Sequence, residues 1–114
     1  MEKHTGSPQQ MRQGDLLFDP VETLPAGLEE IQNPVLAEGE TTGHKHQVVA
    51  TKAPAQGAAF RVYEDDKGNK YLEFLAPGQV KHEEHRPLFF PERSGYRVKR
   101  QRQYEWGKPR IIND

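Results

Sequence analysis

Two close pairs of histidines are the part of this sequence whose residue types and spacing are most able to do chemistry. The chain has five histidines, and His44 and His46 stand two residues apart in a segment that contains Gly39 and Gly43. On a β-strand, residues i and i+2 project from one face about 6–7 Å apart. Two imidazole rings placed in this way can share a metal ion, with nitrogen–zinc distances of about 2.0–2.1 Å. The alternative is a surface loop whose histidines cap a strand or hydrogen-bond to neighbours.

The second pair, His82 and His85, is separated by Glu83 and Glu84. The zinc-protease signature needs histidines at i and i+4 on a helix, and Pro87 would end a helix here. In a regular strand His82 and Glu84 would share one face, and Glu83 and His85 the other. Only one histidine would then face a site, unless a bulge re-aims the second. Taken alone, this segment is also typical of a solvated, charged edge strand.

Together, the two pairs favour one shared pocket. The candidate metal ligands are His44, His46, His82 and His85. A divalent ion such as Zn, Fe, Mn or Ni suits three or four imidazole ligands with one position left for water. The chain has no cysteine, so thiolate sites and disulfide bonds are excluded. A bound metal would lower the pKa of its water and assist a hydrolysis or isomerisation, with Glu83 or Glu84 as the catalytic general base.

Two other interpretations of the same histidines stay open. They could form a pH-sensitive, hydrogen-bonded polar cluster that holds no metal, because histidine titrates near neutral pH. Alternatively, neutral histidines could serve as acid and base toward a bound small molecule.

The segment 93–110 is a second candidate for binding, because it holds seven Lys and Arg against one Glu, interleaved with aromatic residues. In a strand Arg100, Arg102 and Tyr104 would share one face, with Arg97 on the other. Arginines beside aromatic rings bind phosphates and stack on bases. These four residues therefore form a candidate surface for a nucleotide, single-stranded nucleic acid or a protein partner. Two alternatives are an edge strand guarded by cations, and an Arg100 or Arg102 that lies near the histidines and neutralises an anionic ligand.

The composition indicates a small folded domain with no overall nucleic-acid signature. With 114 residues the chain forms one domain at most, and its 33% apolar residues fall in short clusters. Net charge is −1, but residues 1–60 carry four Lys and Arg against eight Asp and Glu, whereas residues 61–114 carry twelve against nine. The sequence has neither an N-terminal apolar run nor a membrane-length one, so we expect a cytoplasmic protein without membrane contact. A homo-oligomer is compatible with this composition.

Short strands separated by turns are expected to position these side chains. Nine prolines and ten glycines punctuate the chain, and roughly seven to nine short strands fit between them. The clearest feature is a hairpin of residues 58–64 and 70–75 around an acidic, Gly-containing turn. We predict an all-β fold, a small antiparallel β-barrel or sandwich. The other predicted strands are Leu16–Phe18 ending at Asp19-Pro20, 35–37, 46–51, 79–84, and one long strand from Tyr96 to Trp106.

The predicted domain occupies residues 14–106. Residues 1–13 are polar and are expected to form a flexible, disordered N-terminal tail. Residues 107–114 are expected to form a C-terminal extension.

Four blocks of sequence carry a resemblance to a known family. They are Arg12–Leu17, Leu36–His46, His82–Leu88 and Tyr96–Tyr104. In these blocks, and in their order, the chain resembles a family of small uncharacterised bacterial and phage proteins. The family has no established activity, so the resemblance implies no reaction. It is compatible with an assembly or accessory protein of a phage or mobile element.

Overall fold

The computed structural model describes residues 9–38, 43–52, 54, 56–100, 102–105 and 108–111, the last two ranges as backbone only. In these ranges every regular element is a β-strand and every strand pair is antiparallel. The all-β, antiparallel prediction is therefore confirmed. No helix in the described ranges is long and apolar enough to cross a membrane.

The described ranges contain twelve strands. In chain order they are β1 (Met11–Gln13), β2 (Leu16–Val21), β3 (Glu29–Ile31), β4 (Val35–Glu38), β5 (Lys45–Ala50), β6 (Phe60–Glu64), β7 (Lys70–Phe74), β8 (Gly78–Lys81), β9 (Leu88–Phe90), β10 (Ser94–Arg100), β11 (Arg102–Glu105) and β12 (Lys108–Ile111).

Ten of these strands form two sheets that pack as a sandwich around one core. The larger sheet has the order β1-β2-β10-β7-β6-β3, and the smaller has the order β4-β5-β8-β9. Over the described strands, no ladder of hydrogen bonds joins the two sheets into a closed barrel. The buried hydrophobic cluster takes residues from both sheets: Leu16, Phe18, Leu36, Val48, Val62, Leu72, Phe74, Val80, Phe90, Tyr96 and Val98.

Phe90 is the residue that most directly ties the sheets together. It lies on β9, at the edge of the smaller sheet, and is 3% exposed. Its ring centroid is 5.4 Å from Phe18, 4.8 Å from Phe74 and 4.9 Å from Tyr96, all on the larger sheet. Offset and edge-on ring pairs at these separations add to the apolar area that they bury.

The predicted hairpin is confirmed as β6 and β7, which pair from Phe60↔Phe74 to Glu64↔Lys70. Its turn is built by Asp65, whose carboxylate accepts hydrogen bonds from the backbone N–H groups of Lys67 and Asn69 and from the Asn69 amide. These bonds, chiefly the one from the Asn69 side chain, lower the pKa of Asp65.

Two predicted boundaries were wrong. β2 does not stop at Asp19-Pro20 but runs to Val21. Pro20 has no N–H to donate, but β1 pairs only with Leu16–Phe18, so no strand lies beside Pro20 on the β1 side to need that bond. The predicted strand 79–84 ends at Lys81, where the chain bends toward β9. Of the predicted strand from Tyr96 to Trp106, residues 96–100 belong to β10 and residues 102–105 form β11, which pairs with β12, while Gln101 and Trp106 lie outside the described residues.

Strands extend beyond the predicted domain limits at both ends. β1 begins at Met11, inside the range expected as a tail, and Gln13 is buried. Residues 1–8 of that range lie outside the described residues. At the other end β12 falls within the expected extension, while Trp106, Gly107 and residues 112–114 lie outside the described residues.

Candidate functional site

The four candidate histidines come together at one end of the smaller sheet. His44 precedes β5, His46 lies on it, and β5 pairs with β8, which leads into His82 and His85. Ring centroids are 5.6 Å apart for His44 and His82, 4.5 Å for His46 and His82, 6.4 Å for His46 and His85, and 4.5 Å for His82 and His85. We refer to these four residues as the imidazole quartet.

The bend after β8 is what lets both members of the second pair face the first. A regular strand would have sent His82 and His85 to opposite faces, but residues 82–87 are not part of a strand. Within the bend the backbone N–H of Glu84 donates to His82 Nδ1 at 3.0 Å. Because Nδ1 accepts this bond, the proton of a neutral His82 ring is on Nε2.

Gln13 determines the orientation of the His46 ring. Its amide nitrogen donates to the carbonyl oxygens of Val80 at 2.9 Å and Arg86 at 2.8 Å. The amide oxygen therefore faces His46, with Oε1 at 2.8 Å from Nδ1. Since an amide oxygen can only accept, Nδ1 of His46 carries a proton and Nε2 is the remaining nitrogen.

Asp15 faces that remaining nitrogen. Its Oδ1 is 3.4 Å from His46 Nε2, and both side chains are 0% exposed. Its other oxygen, Oδ2, accepts a hydrogen bond of 2.6 Å from Nε of Arg100, whose side chain is 27% exposed. A buried carboxylate needs such partners, because desolvating an unpaired charge is strongly unfavourable. Arg100 thus reaches the imidazole quartet through Asp15.

A tight turn places Gln13 and Asp15 on two sides of the same imidazole. Gln13 pairs with Leu16 across the two-residue turn Gly14-Asp15, and Gly14 has φ 58°. In two-residue hairpin turns whose first central residue has a positive φ, that residue is usually glycine. The sequence analysis placed Gln13 in the N-terminal tail and did not single out Asp15. The missed signal is the block Gln13–Asp15 itself, because polar residues in a turn look solvated until their partners are known.

The two candidate general bases differ in their surroundings. Glu83 Oε1 accepts a hydrogen bond of 2.9 Å from the backbone N–H of Lys45. This bond lowers the pKa of Glu83, with further lowering by its own backbone N–H and by His44 and His82. A lowered pKa makes Glu83 a weaker base than an ordinary glutamate. Glu84 Oε1 lies 3.7 Å from His44 Nδ1, and its side chain is 64% exposed.

The four candidate phosphate-binding residues do not form one described surface. Arg97 is on the outward face of β10, between Asp19 of β2 and Tyr71 of β7. Arg100 is on the inward face and pairs with Asp15. Arg102 and Tyr104 lie on β11, where the description covers the backbone and not the side chains. The anion that Arg100 meets is therefore a residue of the chain itself.

A family model described as a domain of unknown function, DUF8820, matches residues 12–101. The chain belongs to the DUF8820 family. Membership of an uncharacterised family is thus confirmed. Comparisons with curated proteins and with solved structures gave no match. The segment that defines this DUF8820 domain contains Gln13, Asp15, Arg100 and the whole imidazole quartet, and it ends before β11.

As described, the quartet of this DUF8820 member is a hydrogen-bonded group. Among the residues that the structure describes, no set of three or more His, Asp or Glu side chains is arranged to hold a metal ion. The rings are close, but His46 Nδ1 and His82 Nδ1 are occupied by Gln13 and by the backbone of Glu84.

Proposed function

We propose that this protein binds a divalent transition-metal ion at the imidazole quartet, with His46 Nε2 and Asp15 Oδ1 as its first two donors. The observation that carries the proposal is their separation of 3.4 Å, with the opposite nitrogen of His46 held protonated by Gln13. A neutral imidazole would direct the lone pair of Nε2 at the Asp15 carboxylate across this gap, and the two groups would repel each other. A cation between the two atoms converts that repulsion into attraction.

The spacing and the surroundings both suit a metal ion. Two donors that each lie about 2.0–2.1 Å from a tetrahedral zinc ion are about 3.3 Å from each other. A ligating histidine also donates its second ring N–H to an outer acceptor, and Gln13 Oε1 is such an acceptor. Further donors would come from His82 or His85, whose ring centroids lie 4.5 Å and 6.4 Å from that of His46. Binding requires one of these rings to turn toward the ion.

The proposed chemistry is metal-assisted hydrolysis or isomerisation of a small molecule. A bound ion would supply an activated water or polarise a substrate oxygen. Of the two candidate bases, Glu84 suits the role better than Glu83, because the backbone of Lys45 and the lowered pKa keep Glu83 ionised and weakly basic.

Metal analysis tests this proposal directly. Protein purified without a histidine tag would be stripped with a chelator, loaded with zinc or cobalt, and analysed by calorimetry and elemental analysis. We expect one ion per chain, with affinity reduced at least about 10–100-fold in Asp15→Asn and His82→Gln, the loss found even for outer-sphere partners. Glu92→Gln changes an exposed carboxylate outside the quartet and is the matched control. Absence of stoichiometric binding in the folded wild type would refute the proposal.

The competing candidate is a proton in place of the metal. The same 3.4 Å gap suits an imidazolium of His46 between Gln13 and Asp15, and that arrangement needs no third donor. The quartet would then be a pH-sensitive polar cluster or an acid–base site. Metal titration separates the two candidates. A metal site binds zinc, and any proton on Nε2 is released as the ion binds. A polar cluster takes up no ion at any pH at which the protein is folded.

A non-enzymatic binding module is supported by a different observation. On the outward face of the larger sheet, Arg97 stands beside Tyr71, and Tyr71 stands beside Tyr63. Cations beside aromatic rings suit a nucleotide, single-stranded nucleic acid or a protein surface. Binding of a labelled oligonucleotide that falls steeply with salt, and that falls further in Arg97→Gln and Tyr71→Ala, would support this function. Salt-independent or absent binding would exclude nucleic acid.

A bacterial or phage source and a cytoplasmic location are part of the same proposal. The bacterial or phage source is supported by the four sequence blocks that also support the family resemblance. Detection of the protein in the soluble fraction of a bacterial host is the corresponding measurement.

A further inference from the structure

One cleft in the described part of the chain lies away from the imidazole quartet. It has a volume of about 610 Å³ and opens where β4 of the smaller sheet meets β7 and β10 of the larger one. Its apolar lining includes Leu16, Leu36 and Val98, and its cationic lining includes Lys70 and Arg100. This volume is within the roughly 300–1,000 Å³ that is usual for small-molecule sites.

A β-bulge borders the cleft. The register of β4 against β5 shifts between Val35 and Ala37, so Leu36 has no partner in that ladder. The carbonyl oxygen of Leu36 instead accepts a hydrogen bond of 3.2 Å from Nζ of Lys70, which reaches across from β7. Bulges commonly re-aim groups in this way next to binding sites. The ammonium group is thereby held at the cleft, between the two sheets.

The charge at the cleft favours an anion. Lys70 is held by a neutral carbonyl, and an ammonium group has two further N–H donors. Arg100 adds a second cation, although Asp15 balances part of its charge. The third cation of the lining, Lys99, pairs with Asp19 at 2.8 Å and is left out of the argument. Within the described lining no side chain is acidic.

We propose that this cleft binds a small amphipathic anion, a carboxylate with an aliphatic or aromatic body. The carboxylate would accept hydrogen bonds from Lys70, and the body would cover the exposed edges of Leu36, Val98 and Leu16. Ligand sites combine an apolar lining with a few polar groups that fix orientation in this manner. The site is distinct from the metal proposal, because its ligand meets Lys70 and no histidine.

Decanoate is the probe for the test. Decanol and acetate are the controls, since the first keeps only the aliphatic body and the second only the carboxylate. We expect methyl resonances of Leu16, Leu36 and Val98 to shift on addition of decanoate to the intact chain. Decanol, which lacks the charge, and acetate, which lacks the body, should each bind at least about tenfold more weakly, the loss expected for one charge-assisted hydrogen bond or a few buried methylene groups.

Two lysines of the same hairpin provide matched variants. Lys70→Gln should weaken decanoate binding about tenfold or more, because a hydrogen bond to a charged group is lost. Lys67→Gln, in the exposed turn, should leave it unchanged, and Lys70→Arg should retain most of it. The proposal is overturned if Lys70→Gln binds decanoate as the wild type does, or if the shifted resonances lie outside the cleft. Loss of zinc binding with intact decanoate binding would refute the metal site alone.

Discussion

The sandwich contains two groups of four packed rings that differ in chemistry and not in spacing. In the apolar group, Phe18, Phe74, Phe90 and Tyr96 have neighbouring centroids 4.8–6.2 Å apart. In the imidazole quartet the corresponding separations are 4.5–6.4 Å. Apolar rings at this distance need only shape complementarity. Imidazole rings also need hydrogen-bond partners for their buried nitrogens, and the fold provides one for His46 from Gln13, 33 residues away.

The comparison shows which part of this fold depends on the identity of individual side chains. The apolar group can be repacked by other residues of similar volume, because its contacts have no direction. The quartet depends on directed bonds from Gln13, Asp15 and the backbone of Glu84. Substitutions in the apolar group should therefore lower stability alone, whereas substitutions in the quartet should also change the orientation of the imidazole rings.

The largest effect is expected in the apolar group. Phe90→Ala should lower the free energy of unfolding by about 3–5 kcal/mol, through lost burial and a cavity between the sheets. Phe89→Ala is the matched control, because that ring is 62% exposed, and its effect should stay within about 0.5 kcal/mol. Urea denaturation followed by circular dichroism measures both. Equal effects of the two substitutions would contradict the packing described for β9.

The next effect concerns Asp15. In chelator-treated protein, Asp15→Asn should lower the free energy of unfolding by about 3 kcal/mol, because it leaves Arg100 without its buried anion. It should also change the ring resonances of His46 while leaving those of Phe90 in place. Asp66→Asn, at an exposed turn position, provides the control. A fully stable Asp15→Asn protein would show that the buried carboxylate is not needed by its neighbours.

The smallest effect is a pH dependence at the rim of the quartet. The pKa of Glu83 is lowered in the folded state, mainly by the backbone N–H of Lys45. A group with a lowered folded pKa stabilises the fold above its unfolded pKa, and the contribution is lost as pH falls through the folded value. The contact between Glu83 and Lys45 should thus persist at neutral pH and be lost at a pH lower than the ordinary glutamate pKa of about 4.3.

Carboxyl carbon shifts recorded by NMR against pH measure this titration, with a short peptide of the same residues as the control. A midpoint for Glu83 equal to that of the peptide would show that the Lys45 bond is absent in solution.

Local patterns in the sequence were enough to predict part of this architecture. The hairpin of β6 and β7 was predictable because Asp65, Gly68 and Asn69 build their turn from neighbours. The alternation that places Tyr96 and Val98 inward and Arg97 outward was likewise evident from the period of a strand. Both features depend on residues a few positions apart, which is the range over which sequence patterns report structure.

The features that sequence reasoning missed all depend on distant partners. Gln13 lies 33 residues from His46, and Asp15 lies 85 residues from Arg100. Nothing in the block Gln13–Asp15 separates a buried hydrogen-bonding pair from an ordinary polar turn.

The most direct test of the central claim is a long-range proton–nitrogen NMR spectrum of the imidazole rings, recorded before and after one equivalent of zinc at neutral pH. The account predicts that Nδ1 of His46 is protonated in both states, and that Nε2 moves to the position of a metal-bound nitrogen, with no such change in Asp15→Asn. An Nε2 resonance that stays where it was when zinc is added, or a lone pair on Nδ1, would contradict a metal site between His46 and Asp15.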